Sequence, residues 1–338
     1  MRKRLTTTGA LARPVRLDGP VTRARPVTLV ALVTLVAAAT TGCGGGDTAH
    51  AAASGPPASA HGSGTSPSPT PPPPPAPSHE ETLEVLPAAG STVGVGQPVS
   101  LVFDHPVTNK AEVERRLTVT TDNGTEGAWG WLTDPSNGHE RVDWRPKEYW
   151  RPGTKVTLDA ALAGVVTEPD RAVAASRRTT FTIGARQVAT VDVPAHTLSL
   201  ERDGRVVKEV PITAGDPAKY PTWSGRMTLM SKEGTIRMRS QSVGLGNAYD
   251  LPVQRAMRLT TSGTYAHQAE WAEGYIGSAN RSHGCIGLTT ADARWFYGQA
   301  RVGDVFEVKG AGATVEAGNG FGDWNLDWAR WRLKSALL

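Results

Sequence analysis

From Glu81 to Ile183 apolar residues alternate with polar ones in short bursts, and turn residues separate most of the bursts. Leu83–Leu86, Val99–Phe103, Leu117–Thr121, Trp129–Trp131, Val142–Trp144, Val156–Leu162 and Thr179–Ile183 each read as a strand. Ala88-Ala89-Gly90, Asp122-Asn123-Gly124, Pro135-Ser136-Asn137-Gly138 and Pro152-Gly153 supply the turns between them. This spacing predicts an antiparallel β-sandwich over residues 82–185. Without a Cys…Trp…Cys pattern it is immunoglobulin-like in architecture only. His105 and His139 stand alone in it and read as structural or surface residues, so the unit is a spacer, an orienter or a contact surface.

A second β region occupies residues 186–310. Val188–Val193 reads as a strand, Thr197-Leu198-Ser199-Leu200 alternates, Asp203-Gly204 is a hairpin turn, and Val206–Ile212 returns. Pro221-Thr222-Trp223-Ser224-Gly225 precedes a strand at Met227–Met230. Ser231–Tyr249 is polar and contains glycine, which predicts a mobile hairpin or loop. Leu259–His267 leads to the first histidine of interest, and Glu270–Arg281 is loop-like. Thr289 can cap a helix, with Asp292 at its third position, running to about Ala300 and burying Trp295 and Phe296. Asp304–Lys309 returns as a strand. In the tail, residues 311–338, Trp324, Trp328 and Trp331 follow helical spacing. They predict a Trp-rich C-terminal helix packed on the second β region, in preference to a carbohydrate platform. The fold class is therefore mainly β, with one short helix after the Cys285 segment and one at the C-terminus.

Composition changes the picture at the N-terminus. The 338 residues are enough for two domains and tails. The sequence pI of 9.1 invites a nucleic-acid partner. Residues 1–26, however, hold seven Arg or Lys against one Asp, so a +6 leader accounts for more than the chain's net +4, and the rest carries −2. No basic face is implied, and no nucleic-acid partner is expected. Val27–Ala39 is apolar apart from Thr28 and Thr34, shorter than the roughly 20 residues that span a bilayer, and reads as the core of an export signal over residues 1–42. Residues 43–81 are a linker rich in Pro, Ser and Gly, with Pro71–Pro75 unbroken, which holds the folded part away from an anchoring surface.

The candidate chemistry lies in Ser282-His283-Gly284-Cys285, with His267 upstream. Cys285 is the one cysteine outside the leader and linker. A thiol close to histidines is a candidate nucleophile, because an imidazole takes its proton or holds it as thiolate. The alternative is a buried, inert thiol. Eighteen positions separate His267 from Cys285, which spans one loop between two segments. No acidic residue is placed to orient His267, and the backbone carbonyl of Gln268 would serve instead. His283 would tune the thiol electrostatically or donate a hydrogen bond to it. Gly284 permits a tight turn and close approach of a substrate backbone. His267, His283 and Cys285 are also ligand types that zinc accepts, but no fourth ligand or general-base Glu stands at a known spacing, and no cofactor is expected.

Tyr265-Ala266-His267 … Ser282-His283-Gly284-Cys285 resembles the L,D-transpeptidase (YkuD-type) family. Further matches are Pro221-Thr222 … Gly225, Ser262-Gly263 and Ala291 to Tyr297, over residues 187 to 310. A sandwich before this domain and a Trp-rich tail after it are similar to actinobacterial members. Thr40-Thr41-Gly42-Cys43 resembles a bacterial lipobox, with Thr40 where Leu is usual, which implies lipidation at Cys43; ordinary cleavage near Ala39 or Ala53 is the alternative. A Cys43–Cys285 disulfide requires Cys43 to be neither removed nor lipidated. The resemblance implies a peptidoglycan L,D-transpeptidase that is extracytoplasmic and lipid-anchored facing the cell wall, or secreted if Cys43 carries no lipid. It implies Cys285 as nucleophile, His267 as base, and the N–H groups of Gly284 and Cys285 as oxyanion donors. Ser282, Tyr265, Thr261 and Trp271 are the expected substrate contacts, with Ser231–Tyr249 and its flanks as a flap. A tetrapeptide stem would be the donor and a stem-peptide amine the acceptor of a 3→3 cross-link. Carbapenems would be inhibitors. A degenerate wall-binding protein and a carboxypeptidase-type hydrolase are the alternatives. Gly287 stands where many members have Asn or Arg, Gln268 where Ser is common, and Trp223 where Pro or a small residue is common.

Overall fold

The computed structural model describes residues 76–338. The expected export signal, Cys43 and the linker up to residue 75 lie outside the described residues. The end of the expected linker is instead ordered chain: His79–Glu81 is a strand, parallel to Arg171–Val173. Glu81 is buried there and accepts from the His105 N–H and the Thr167 hydroxyl.

The sandwich stacks two four-stranded sheets. One runs Leu83–Leu86, Val99–Phe103, Glu140–Pro146, Gly127–Thr133; the other Thr92–Val93, Arg177–Ile183, Lys155–Ala160, Leu117–Thr121. Leu101, Phe103, Val142, Val156, Leu158 and Phe181 fill the space between them. Each of the seven expected strands forms, three of them at the expected bounds. A helix at Lys110–Arg115 was not expected, because its six residues offer little apolar periodicity.

The second unit is built on a nine-stranded mixed sheet. Its order is Gly225–Thr228, Val305–Lys309, Gln187–Asp192, Thr197–Arg202, Arg205–Thr213, Ile286–Leu288, Tyr265–Gln268, Asp250–Arg258, Ser231–Arg239. The Thr290–Gln299 helix starts as expected: the Thr289 hydroxyl accepts from the Asp292 N–H at 3.1 Å. Phe296 is buried, while Trp295 is half-buried under the Lys208 ammonium, 4.8 Å from its ring centre. Of the hairpin or loop expected over Ser231–Tyr249, the structure shows the hairpin: Ser231–Arg239 pairs antiparallel with Asp250–Arg258, with bulges, and the irregular part is confined to residues 240–249.

The two units share a tight seam. The N–H groups of Gly94 and Gly96 donate to the carbonyls of Val302 and Gly303, at 2.8 and 2.9 Å. A Cβ at Gly94 would lie 2.3 Å from the Asp304 nitrogen, so only glycine permits this approach. The tail bridges both units, which corrects its expected place. Trp324, Trp328 and Trp331 do not share one helix: Asp323–Asn325 is a 3₁₀ turn and Trp328–Arg332 a short helix capped by Asp327. Trp331 is fully buried, its indole N–H donates to the Ala128 carbonyl at 2.9 Å, and its ring fills the space a Cβ at Gly130 would take. Trp324 donates to the Gly96 carbonyl at 2.9 Å. The Arg145 guanidinium lies 4.7 Å from the rings of Trp324 and Trp331. The tryptophans therefore pack mainly on the sandwich, and Asn325 makes the contact to Arg226 of the other unit.

Candidate active site

Two short parallel strands place the chemistry. Tyr265–Gln268 pairs with Ile286–Leu288, so that Ala266 faces Ile286 and His267 faces Gly287. Ala266 and Ile286 point into the core and are fully buried. Side chains alternate along a strand, so His267 and Cys285 emerge on the opposite side together. Both line a cavity of about 260 Å³ with Met238, Leu251, Val253 and Tyr249 of the hairpin. Trp271, Ala272 and Tyr275 form another part of its wall.

His267 is 5% exposed, and its Nδ1 lies 2.7 Å from the Gln268 carbonyl. The carbonyl accepts only, so Nδ1 carries the proton and Nε2 is left as the free base. This is the orienting contact expected of Gln268. Its side chain explains how that carbonyl is held: Arg255 donates to its Oε1, and its Nε2 donates to Glu270 at 3.2 Å. Burial lowers the pKa of His267, opposed by the Gln268 carbonyl and the nearby Glu270. Burial raises that of Cys285 to about 11, against an opposing Tyr265 backbone N–H. The Cys285 thiol contacts the Gly263 carbonyl at 3.7 Å. At neutral pH the resting pair is thus thiol and neutral imidazole rather than thiolate and imidazolium.

Ser282 holds the turn before Cys285. Its hydroxyl donates to the Cys285 carbonyl at 2.6 Å and accepts from the Gly284 N–H at 3.2 Å. Its own N–H donates to the Ala214 carbonyl, and its carbonyl accepts from the Asp216 N–H. Gly284 has φ +112°, which glycine tolerates and other residues avoid. The Gly284 N–H, one of the two expected oxyanion donors, is therefore engaged by the Ser282 hydroxyl.

The other expected contacts separate. Ser282 and Trp271 line the cavity, and the Trp271 ring stands 5.9 Å from that of His267. Tyr265 and Thr261 line a neighbouring cavity instead, where Tyr265 donates to Glu233 at 3.2 Å. The Thr261 hydroxyl donates to Asn319 and accepts from the Gly320 N–H, a tail contact rather than a substrate contact. His283 makes no hydrogen bond to the thiol among the described contacts; its ring sits 4.5 Å from Tyr220 and 5.1 Å from Tyr249. The sequence carried no signal for Tyr220 or Arg281 at this site, since each comes from a stretch without periodicity, whereas Tyr249 falls in the expected flap. Gly287 is closely packed, because a Cβ there would meet Thr213 Cγ2 at 2.8 Å and Ala269 Cβ at 3.0 Å.

Residues 186–308 match the family model of the L,D-transpeptidase catalytic domain, and residues 74–166 match that of a bacterial Ig domain. The chain is 35% identical to L,D-transpeptidase 1 of Mycobacterium tuberculosis over 230 residues, 67% of this chain and 84% of the relative. It belongs to the L,D-transpeptidase family. L,D-transpeptidase 2 of the same organism is 34% identical over 257 residues, 75% of this chain, which spans 62% of that relative's length. The structure of an LD transpeptidase in complex with imipenem superposes with a TM-score of 0.57 at 34% identity, covering 69% of this chain and all of that one. The resemblance noted in the sequence and the expected order, a β-sandwich then the transpeptidase domain, agree with these matches.

Proposed function

We propose that this family member is a cysteine-dependent acyltransferase that forms 3→3 cross-links between peptidoglycan stem peptides. The observation that carries the reading is His267 on its strand and Cys285, just before the paired strand Ile286–Leu288, lining one cavity, with Nδ1 tied to the Gln268 carbonyl. In this reading His267 Nε2 takes the thiol proton as sulfur attacks the carbonyl of the third stem residue. The Cys285 N–H stabilises the oxyanion. The bond to the terminal D-alanine breaks, its nitrogen receives the proton from His267, and a thioester remains on Cys285. The side-chain amine of a second stem then attacks the thioester, gives up a proton to His267 and releases the thiol. Carbapenems acylate the same sulfur, in line with the relative solved with imipenem. A lipid on Cys43 would tether the enzyme to the outer face of the membrane, with the linker reaching toward the wall.

Intact mass of the full chain incubated with a disaccharide-tetrapeptide tests the reading, beside Cys285→Ala. The expected outcome is an adduct, less the mass of D-alanine, on the parent alone, followed by dimeric muropeptide. Cross-linked product from Cys285→Ala at the parent's rate would overturn it. Monomeric product shortened by D-alanine, with no dimer, would make the protein a hydrolase.

A further inference from the structure

The cavity wall around Cys285 carries one permanently charged side chain, Arg281; no Asp or Glu lines it. The guanidinium carbon lies 5.3 Å from the centre of the Tyr275 ring, also in the wall, and no carboxylate pairs with Arg281 among the described residues. The backbone that carries it is fastened. Asn280 accepts from the Ala214 N–H at 2.8 Å and donates to the Val193 carbonyl at 3.0 Å. The Arg281 N–H donates to the Thr213 hydroxyl at 3.3 Å, and the Ser282 N–H to the Ala214 carbonyl at 3.0 Å. A ring-stacked guanidinium keeps the N–H groups on its edge available, in a fork that matches a carboxylate. The remaining wall is aromatic, aliphatic and neutral polar, so nothing else in it offers an anionic group a permanent positive partner.

We propose that Arg281 is the specificity-determining residue for the acyl donor, pairing with a carboxylate of the stem peptide as its carbonyl is presented to Cys285. This rests on the acyl-transfer reading above. Two carboxylates of a tetrapeptide donor fit: the terminal one that departs with D-alanine, and the one on the side chain of the attacked residue. Both present the same chemistry, and amidation of each in turn distinguishes them.

Calorimetric binding to the full chain carrying Cys285→Ala tests the pairing without requiring turnover. Three donors are compared: the free-acid disaccharide-tetrapeptide, its C-terminal amide and its side-chain amide. The free acid is expected to bind about tenfold more tightly than one of the two amides, and that amide identifies the carboxylate. Adding Arg281→Gln removes the difference, Arg281→Lys restores part of it, and added salt narrows it because the pair is exposed. Equal affinity for all three donors, a difference that survives Arg281→Gln, or no binding of any donor would overturn the proposal. Acylation of the protein with Cys285 intact is measured separately. Carboxylate discrimination without any acyl-enzyme would sink the acyl-transfer reading and leave the role of Arg281 in binding intact.

Discussion

His267 and Cys285 line one cavity as two neutral groups, and this sets how the site depends on pH. Burial raises the thiol pKa to about 11 and lowers that of the imidazole. Acylation that uses His267 as base requires the imidazole deprotonated, so its rate climbs as His267 loses its proton, with a midpoint below 6.5, then stays level through neutral pH. A resting thiolate would give the opposite assignment, with an alkylation rate already at its ceiling at pH 7. His267→Ala removes the base and is expected to slow acylation by about 10² to 10⁴. The residual rate should then rise about tenfold per pH unit toward the thiol pKa. Acyl-enzyme formation followed by mass from pH 5 to 10 in both proteins separates the cases. A flat profile in His267→Ala would remove the neutral-pair account.

At the scale of elements, legibility followed burial. Leu83–Leu86, Val99–Phe103 and Leu117–Thr121 were readable to the residue because one core packs against them. Ser231–Arg239 was not, because no residue of this hairpin edge is buried and nothing imposes an apolar period. Its partner Asp250–Arg258 buries Val253, Ala256 and Met257, but Arg255 at φ +51° shifts the alternation and hides it. The pair His267 and Cys285 was legible because residue type and separation carry it, whereas Met238, Leu251 and Val253 of the cavity wall come from hairpin strands whose alternation is hidden. Gly287 shows the same limit. Sequence alone presents it as a missing side chain, but the space is already taken by Thr213 and Ala269. Gly287→Asn is therefore expected to destabilise the fold by about 1–3 kcal/mol and to impair acylation. Thr213→Ser in the same chain deletes the methyl that a Cβ would strike at 2.8 Å and keeps the hydroxyl that binds the Ala279 carbonyl and the Arg281 N–H. Urea melts of the single and double variants measure the recovery. A stable, fully active Gly287→Asn protein would show that the strand has slack there.

Across the whole molecule, the seam between sandwich and catalytic unit contains a carboxyl group out of place for neutral pH. Asp304 is 3% exposed, and burial raises its pKa to about 7. Its Oδ2 accepts from the Gln187 amide at 2.8 Å and the Arg301 N–H at 2.7 Å, while Oδ1 has no partner and faces Gly94 of the sandwich. In the unfolded chain an Asp titrates near 3.9. Between about pH 4 and 7 the folded protein keeps a proton on Asp304 that the unfolded chain has released. Unfolding therefore becomes easier as pH rises through this window, by on the order of 4 kcal/mol, and levels off above it. Asp304→Asn keeps an acceptor for Gln187 and Arg301 and removes the titration. The difference in unfolding free energy between Asp304→Asn and the parent should shift in favour of the variant as pH is raised from 4.5 to 7.5, measured by urea melts at both. The seam joins both units through Gly94 and Gly96, so the shift should appear in the unfolding of the sandwich and of the catalytic unit alike. A difference that stays constant with pH would mean that Asp304 is ionised when folded, and that the seam tolerates its charge.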